Sequence, residues 1–373
     1  MLNVLVSGGG IAGSALAHWL RRYGFAPTVV ERAAAPRRGG QAVDVRGVAL
    51  GLLDRMDLLG PARAVRTRMR GMSVLDADGD EVHRSTEYAA SSGRLDGDDV
   101  ELMRDDLVRL LRERAGDGVE WVYGDAVTAL EERGGGPVRV RFASGAVRDF
   151  DLVVGADGLH SGVRRLAFGP EERFTAHLGQ YLSVFTAPNF LGLDDWQVWL
   201  RDGESGFAAM SVPGNHELRV AFGFASGPLD GDHRDTEWLR GLIVERIEAL
   251  RWPGAPRMAE AARTAPDFFC DAMAQVRMDR WSRGRVALLG DAGYCASPLS
   301  GQGTSLALCG AYVLAGALRA AGGDHTAGFA AYERRMRPYV EANQALATEN
   351  PGAPASEESV ARAKNALVLD EER

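Results

Sequence analysis

Residues 2–6 (Leu-Asn-Val-Leu-Val) form a short apolar run of the kind buried in a parallel sheet. A glycine-rich turn follows over 7–10. From Ile11, apolar side chains recur at Ala15, Leu16, Trp19 and Leu20, the stripe of an amphipathic helix. Gly24 is placed to end that helix, and 27–31 (Pro-Thr-Val-Val-Glu) reads as a second strand. Strand, helix and strand within about 30 residues predict a right-handed βαβ unit. Further on, the pattern predicts a helix over 99–115 and short strands at 119–123, 138–142 and 152–155, with a turn over 131–137. Apolar and polar residues then alternate through 180–187, 196–201, 206–212 and 218–224, the signature of an antiparallel sheet with one wet face. A helix is expected over 235–250, a buried strand at 285–289 and a long small-residue helix over 304–321. The Ala/Glu-rich tail after 350 reads as peripheral.

The first turn carries chemistry. Gly8, Gly10 and Gly13 make a GxGxxG pattern, with Gly9, Ile11 and Ala12 between them. Gly8 permits the tight turn, Gly10 lets backbone approach a pyrophosphate, and Gly13 lets the helix pack on the strand. The helix start adds N–H groups and positive dipole. Glu31, ending the second strand, is placed to accept hydrogen bonds from ribose 2′- and 3′-hydroxyls. A dinucleotide with a free 2′-OH, NAD or FAD, is therefore expected. Arg32 beside it is a counter-signal, because an arginine can serve a 2′-phosphate.

Composition narrows the class. Of 373 residues, 46% are hydrophobic and 25% charged, a globular balance. The net charge of −8 argues against a nucleic-acid partner. Lys364 is the single lysine among 43 basic residues, which excludes a lysine-based mechanism from the body of the chain. Cys270, Cys295 and Cys309 form no CxxC pair and fit a reducing cytoplasm. No run of about 18 uncharged apolar residues predicts a membrane span. Asp76, Asp78, Asp80 and Glu87 have part of an EF-hand spacing, but Glu81 stands where that loop needs glycine. A hairpin turn is expected there, and no metal site.

Two more segments choose between NAD and FAD. Residues 151–158 (Asp-Leu-Val-Val-Gly-Ala-Asp-Gly) run from a strand into an Asp157-Gly158 turn. Residues 284–292 (Gly-Arg-Val-Ala-Leu-Leu-Gly-Asp-Ala) end a strand at Gly290-Asp291 and lead through Pro298 to Gly301-Gln302-Gly303-Thr304. The ordered triple of GxGxxG, DG and GD resembles the flavoprotein aromatic hydroxylases, the para-hydroxybenzoate hydroxylase-like class of FAD monooxygenases, over roughly residues 1–345. Within that class, residues 39–46 (Gly-Gly-Gln-Ala-Val-Asp-Val-Arg) look similar to the tetracycline-modifying and natural-product monooxygenases.

The resemblance implies an α/β fold: a Rossmann-like FAD-binding domain of the PHBH type, an inserted antiparallel-sheet substrate domain and a C-terminal helix. The expected boundaries are 1–70, 96–178 and 266–345 for FAD, 71–95 and 179–265 for substrate, and 346–373 for the tail. It implies that Glu31 binds the adenosine ribose, that Arg104 contacts the flavin side, and that Asp157 shapes the DG turn. Asp291 would bind the ribityl and pyrophosphate region. Asp44 and Arg46 would lie near the flavin, and Pro298 with Gly301, Gln302, Gly303 and Thr304 at its isoalloxazine edge. A helix beginning near Gly303 aims its dipole where reduced flavin carries negative charge.

No second glycine fingerprint has strand context, so NAD(P)H, with NADPH preferred, would bind transiently as reductant to non-covalent FAD. Oxygen transfer from O₂ through a flavin C4a-hydroperoxide onto an aromatic or polyketide-like substrate is the implied reaction, in natural-product biosynthesis or antibiotic modification. No side chain is assigned as catalyst. Baeyer–Villiger insertion, epoxidation or another flavin redox step on the same fold stays open, as does a flavin-bound sensor or carrier. Trp199, Met210, Phe222 and Phe224 are candidates for the substrate pocket, with sheet core as the other reading. The chain is expected to be a cytoplasmic monomer or homodimer.

Overall fold

The computed structural model describes residues 1–36, 39–91, 93–132, 134–231, 235–350 and 353–370. Arg133 of the expected turn, residues 232–234 of the expected inserted domain, and 351–352 and 371–373 of the tail lie outside the described residues.

Asn3–Ser7 pairs in parallel with Ala26–Glu31 on one side and Leu152–Gly155 on the other. Glu120–Tyr123 and Val286–Leu288 extend this parallel core at its two ends, and the short antiparallel Ser282–Arg283 completes six strands. Their near-continuous apolar runs follow from burial on both faces. The helix Ile11–Arg22 packs on this sheet with Gly303–Ala320 behind it. That second helix is long and apolar enough to cross a membrane, yet it is mostly enclosed between Ile11–Arg22 and the 25-residue helix His325–Glu349. Its apolar surface is therefore core.

The second large sheet has seven strands: Phe269–Val276, Thr175–Pro188, Glu217–Ala225, Ser205–Ser211, Trp196–Asp202, Gly71–Leu75 and Glu81–Ser85, in spatial order. All neighbours are antiparallel except Trp196–Asp202 with Gly71–Leu75. One face carries Phe207, Val220 and Phe222 against the helices Thr236–Glu248 and Ala255–Thr264. The expected boundary at 265/266 does not coincide with a change of sheet, because Phe269–Val276 is the edge strand of this one.

The structure departs from the sequence pattern at 99–115. Val100–Met103 is a strand, paired antiparallel with Ala42–Val45, and the helix begins only at Arg104. A run of four fully enclosed residues fits either state, and the partner strand decides it. Between Gly71–Leu75 and Glu81–Ser85, the Asp76 carboxylate accepts three backbone N–H groups, from Asp78, Gly79 and Asp80, each at 3.0 Å. Those bonds fix the hairpin turn. The tail is ordered where described: Glu357–Lys364 is a helix, started by Ser356 accepting from the Ser359 N–H.

Candidate active site

A cavity of about 1760 Å³ lies between the two large sheets. The carboxyl ends of the parallel strands open onto one side of it, the position at which open α/β sheets meet ligands.

The GxGxxG turn forms one end. Gly8 has φ +108°, and any Cβ there would run into the Ala156 backbone. A Cβ on Gly13 would collide with the Gly8 carbonyl, so Gly13 sits behind the turn as packing and does not line the cavity. A Cβ on Gly10 would meet nothing within 4 Å, since Gly10 faces open cavity. No side chain caps the helix that starts at Ile11, and its first turn carries no acid. The same holds for the helix starting at Gly303. Two uncapped N-termini thus open on one cavity and offer N–H groups and positive dipole to an anion.

Glu31 ends its strand at the adenosine end expected of a dinucleotide. Its Oε2 accepts from the Gly9 N–H and its Oε1 from the Ala33 N–H, both at 2.9 Å. Arg32 beside it is exposed on the cavity rim. The Asp157 carboxylate accepts from the Ser161 hydroxyl at 2.5 Å and the Val163 N–H at 3.1 Å, which holds the turn through Gly158 at φ +83°. Burial raises the Asp157 carboxyl above its ordinary range. The Asp291 side chain opens on the cavity at depth, and burial likewise raises its carboxyl.

The middle of the cavity is a polar network. Arg46 donates to Asp44 Oδ2 at 2.9 Å and to the Ser91 carbonyl at 2.8 Å. Its backbone N–H donates to the Ser305 hydroxyl at 3.0 Å, which ties the Ala42–Val45 strand to the loop through Gly301, Gln302, Gly303 and Thr304. Burial pushes the Asp44 carboxyl up to about 7 against the pull of Arg46. Glu101, directly opposite Asp44 across the strand pair, is also raised by burial and accepts from Ser91 at 2.5 Å and Thr67 at 2.6 Å. Gln197 donates to that Ser91 hydroxyl and accepts from the Trp199 indole N–H at 3.2 Å. The network thus runs from the cofactor-side strands to the large sheet. Arg104 lies against Gly40, where φ is +101° and a Cβ would crowd the Arg104 side chain, with Nε at 2.9 Å.

Of the pocket candidates, Trp199 lines the cavity, and Phe224 touches it while packing in the helix-side apolar cluster under Arg246. Phe222 does not: it faces the helices with the apolar cluster. Met210 is buried beyond the end of the lining, opposite Gln197 and Arg219. The cavity face of those strands carries small residues instead. Gly206 pairs with Gly223 and Ala208 with Ala221, and all four line the cavity. The alternation of small and aromatic residues over 206–209 and 221–225 held that signal. Sequence reasoning also passed over His160. Its Nδ1 lies 2.7 Å from Glu171 and its Nε2 2.9 Å from Asp271, and these bonds raise the imidazole to about 9.

The glycine turn, two helix N-termini and a strand-end carboxylate fit a dinucleotide. A model of a family described as "FAD binding domain" matches residues 1–347. The chain belongs to this family. An uncharacterised protein of Mycobacterium tuberculosis is 49% identical, over 99% of both chains. A flavin-dependent monooxygenase of Legionella longbeachae is 37% identical, over 92% of this chain and 87% of its own. Among solved structures, the tetracycline destructase Tet(51) superposes with a TM-score of 0.91 at 33% identity, covering 100% of each chain. The protein is an FAD-dependent monooxygenase of the para-hydroxybenzoate hydroxylase-like fold. The expectation of FAD is thereby borne out.

In this monooxygenase the residues present fit that cofactor: Gly10 leaves the approach open, and the Gln302 amide is fully enclosed with neither its oxygen nor its nitrogen partnered. Burying an amide without partners is costly, so a group that completes it is expected nearby.

Proposed function

We propose that this monooxygenase hydroxylates an aromatic or polyketide-like small molecule at the expense of NAD(P)H and O₂, in antibiotic modification or natural-product biosynthesis. The observation that carries this reading is the continuity of the cavity from the dinucleotide turn to the small-residue floor of the large sheet. A drug-sized ligand needs roughly 300–1,000 Å³. The cavity exceeds that and has room for a flat multi-ring substrate beside the dinucleotide. Because Tet(51) is a tetracycline destructase, a tetracycline is the first candidate to try.

Bound FAD accepts hydride and activates O₂; the chain supplies the surroundings. The turn at Gly8, Gly10, Ile11 and Ala12 holds the pyrophosphate on backbone N–H groups, and Glu31 takes the ribose hydroxyls. Asp291 would hold the ribityl and pyrophosphate region, and Arg104 would contact the flavin side. Pro298 and the Gly301–Thr304 loop shape the site of the ring system, and the helix dipole at Gly303 stabilises negative charge there. Asp44, with a carboxyl near 7, can hold or release a proton at neutral pH beside Arg46. Residues 1–70, 96–178 and 266–345 would serve the cofactor, 71–95 and 179–265 the substrate, with Trp199 and Phe224 as walls. The strand Phe269–Val276 joins the substrate side through its sheet.

NADPH, preferred over NADH, would land briefly on this same cavity. Stopped-flow reduction of the FAD-loaded protein tests the reading. Reduction by NADPH alone should be slow and should speed up with a hydroxylatable ligand, which biases the protein toward the reducible arrangement. Fast reduction indifferent to every candidate substrate would assign an oxidase or reductase instead.

A further inference from the structure

On the helix Arg104–Ala115, Arg104, Val108 and Arg112 recur every four residues and line the cavity along one face. Leu107, Leu110 and Leu111 are buried on the other. Arg112 lies two turns beyond Arg104, toward the end of the cavity that holds Glu31. There it meets an aromatic shelf. The Arg112 guanidinium carbon is 5.0 Å from the centre of the Trp121 ring and 5.3 Å from that of Tyr123. Those two rings come from alternate residues of Glu120–Tyr123 and lie nearly parallel, 13° apart. Tyr123 is in register with Glu31 on the neighbouring strand. The Arg112 Nε is enclosed and has no hydrogen-bond partner.

A guanidinium held against aromatic rings can stack its free face on a second flat ring. Because the shelf already fixes the side chain, little rotamer freedom is left to lose when that ring arrives. The cavity beside Glu31 is where a dinucleotide places its nucleoside base. We propose that Arg112, backed by Trp121 and Tyr123, receives the purine ring of the dinucleotide and makes the site select FAD over a flavin mononucleotide. The assignment rests on the placement of the adenosine end at Glu31. It adds a stacking plane to an end that otherwise offers the Glu31 carboxylate, backbone and Arg32 on the rim, so it discriminates by shape and stacking as well as by charge.

The test uses apoprotein titrated with FAD, FMN and ADP, by flavin fluorescence for the first two and calorimetry for the third. Arg112→Leu should weaken FAD and ADP about tenfold, the loss of one desolvated cation–π contact, and leave FMN binding where it is. Arg112→Lys keeps the charge and most of the stem but loses the plane, so it should weaken FAD and ADP in the same way. Thermal melts of both apoproteins check that they fold; should the leucine variant fail, the lysine variant decides. Wild-type affinity for FAD and ADP in the lysine variant overturns the proposal, as does an equal loss for FAD and FMN. Failure of the underlying placement shows differently: ADP would then fail to compete with FAD on the wild-type protein.

Discussion

At Glu31 both carboxylate oxygens already accept backbone N–H groups, from Gly9 and Ala33, so the side chain holds the loop on either side of its strand before any ligand arrives. A carboxylate oxygen can accept more than one hydrogen bond, and a ribose can use that capacity. Glu31→Ala should therefore weaken FAD binding by roughly 1.5–3 kcal/mol, the range for hydrogen bonds to a charged group. Equilibrium titration of the apoprotein reads this, and unchanged affinity would remove Glu31 from the site. The position of Glu31 was legible in the sequence because a strand end at fixed distance from a glycine turn has one geometry. Arg112 was not, since its partners Trp121 and Tyr123 are brought to it by the fold and nothing local sets it apart from the other arginines. Phe222 stood open between pocket wall and sheet core for a related reason, and the structure settles it as core. Strand parity separates faces but does not say which face meets the cavity, and here the helix side took the aromatics.

Between elements, a charged cluster joins the loop after the Asp157–Gly158 turn to the edge strand of the large sheet. His160 reaches Asp271 on Phe269–Val276 and Glu171 on the short helix Glu171–Arg173, and the fully buried Arg164 also donates to Glu171, at 3.3 Å. The imidazole is raised from 6.5 to about 9 by these hydrogen bonds. A histidine whose folded value exceeds its unfolded one stabilises most when both states would bind the proton, below about 6.5. That contribution fades as pH rises through 9. The melting temperature of the wild type minus that of His160→Gln, taken across pH 6 to 10, should fall toward zero at the alkaline end. A difference independent of pH would show that His160 acts through packing alone. The pairing was hidden in the sequence, where His160 and Asp271 stand far apart. By contrast, the parallel strands and the helices at Ile11 and Gly303 were legible, because burial on both faces and a 3.6-residue stripe are local signals. The four residues Val100–Met103 carry no such signal and took their state from Ala42–Val45.

At the scale of the molecule, the cofactor half could be read from motifs because phosphate and ribose recognition fixes residue types. The substrate half could be read only as a sheet, because a pocket floor needs space, and space is made by whichever small residues face inward. The tail, read as peripheral, instead reaches the cavity wall: the Lys364 ammonium lies 2.8 Å from Asp99, whose other oxygen accepts from the Gly47 N–H at 3.1 Å. Since Lys364 is the only lysine in the chain, the protein carries one side-chain amine, and it is tethered. An amine-reactive dye at mildly alkaline pH should label the exposed α-amine of Met1 first and Lys364 more slowly, one dye at each, and Asp99→Asn should quicken the Lys364 step by releasing its amine. Mass spectrometry of the Lys364 peptide against time reads that step in both proteins; equal rates would mean the ion pair does not shield the amine. A single addressable position on the wall of the cavity would also let one spectroscopic label report on filling of the site without any engineered cysteine.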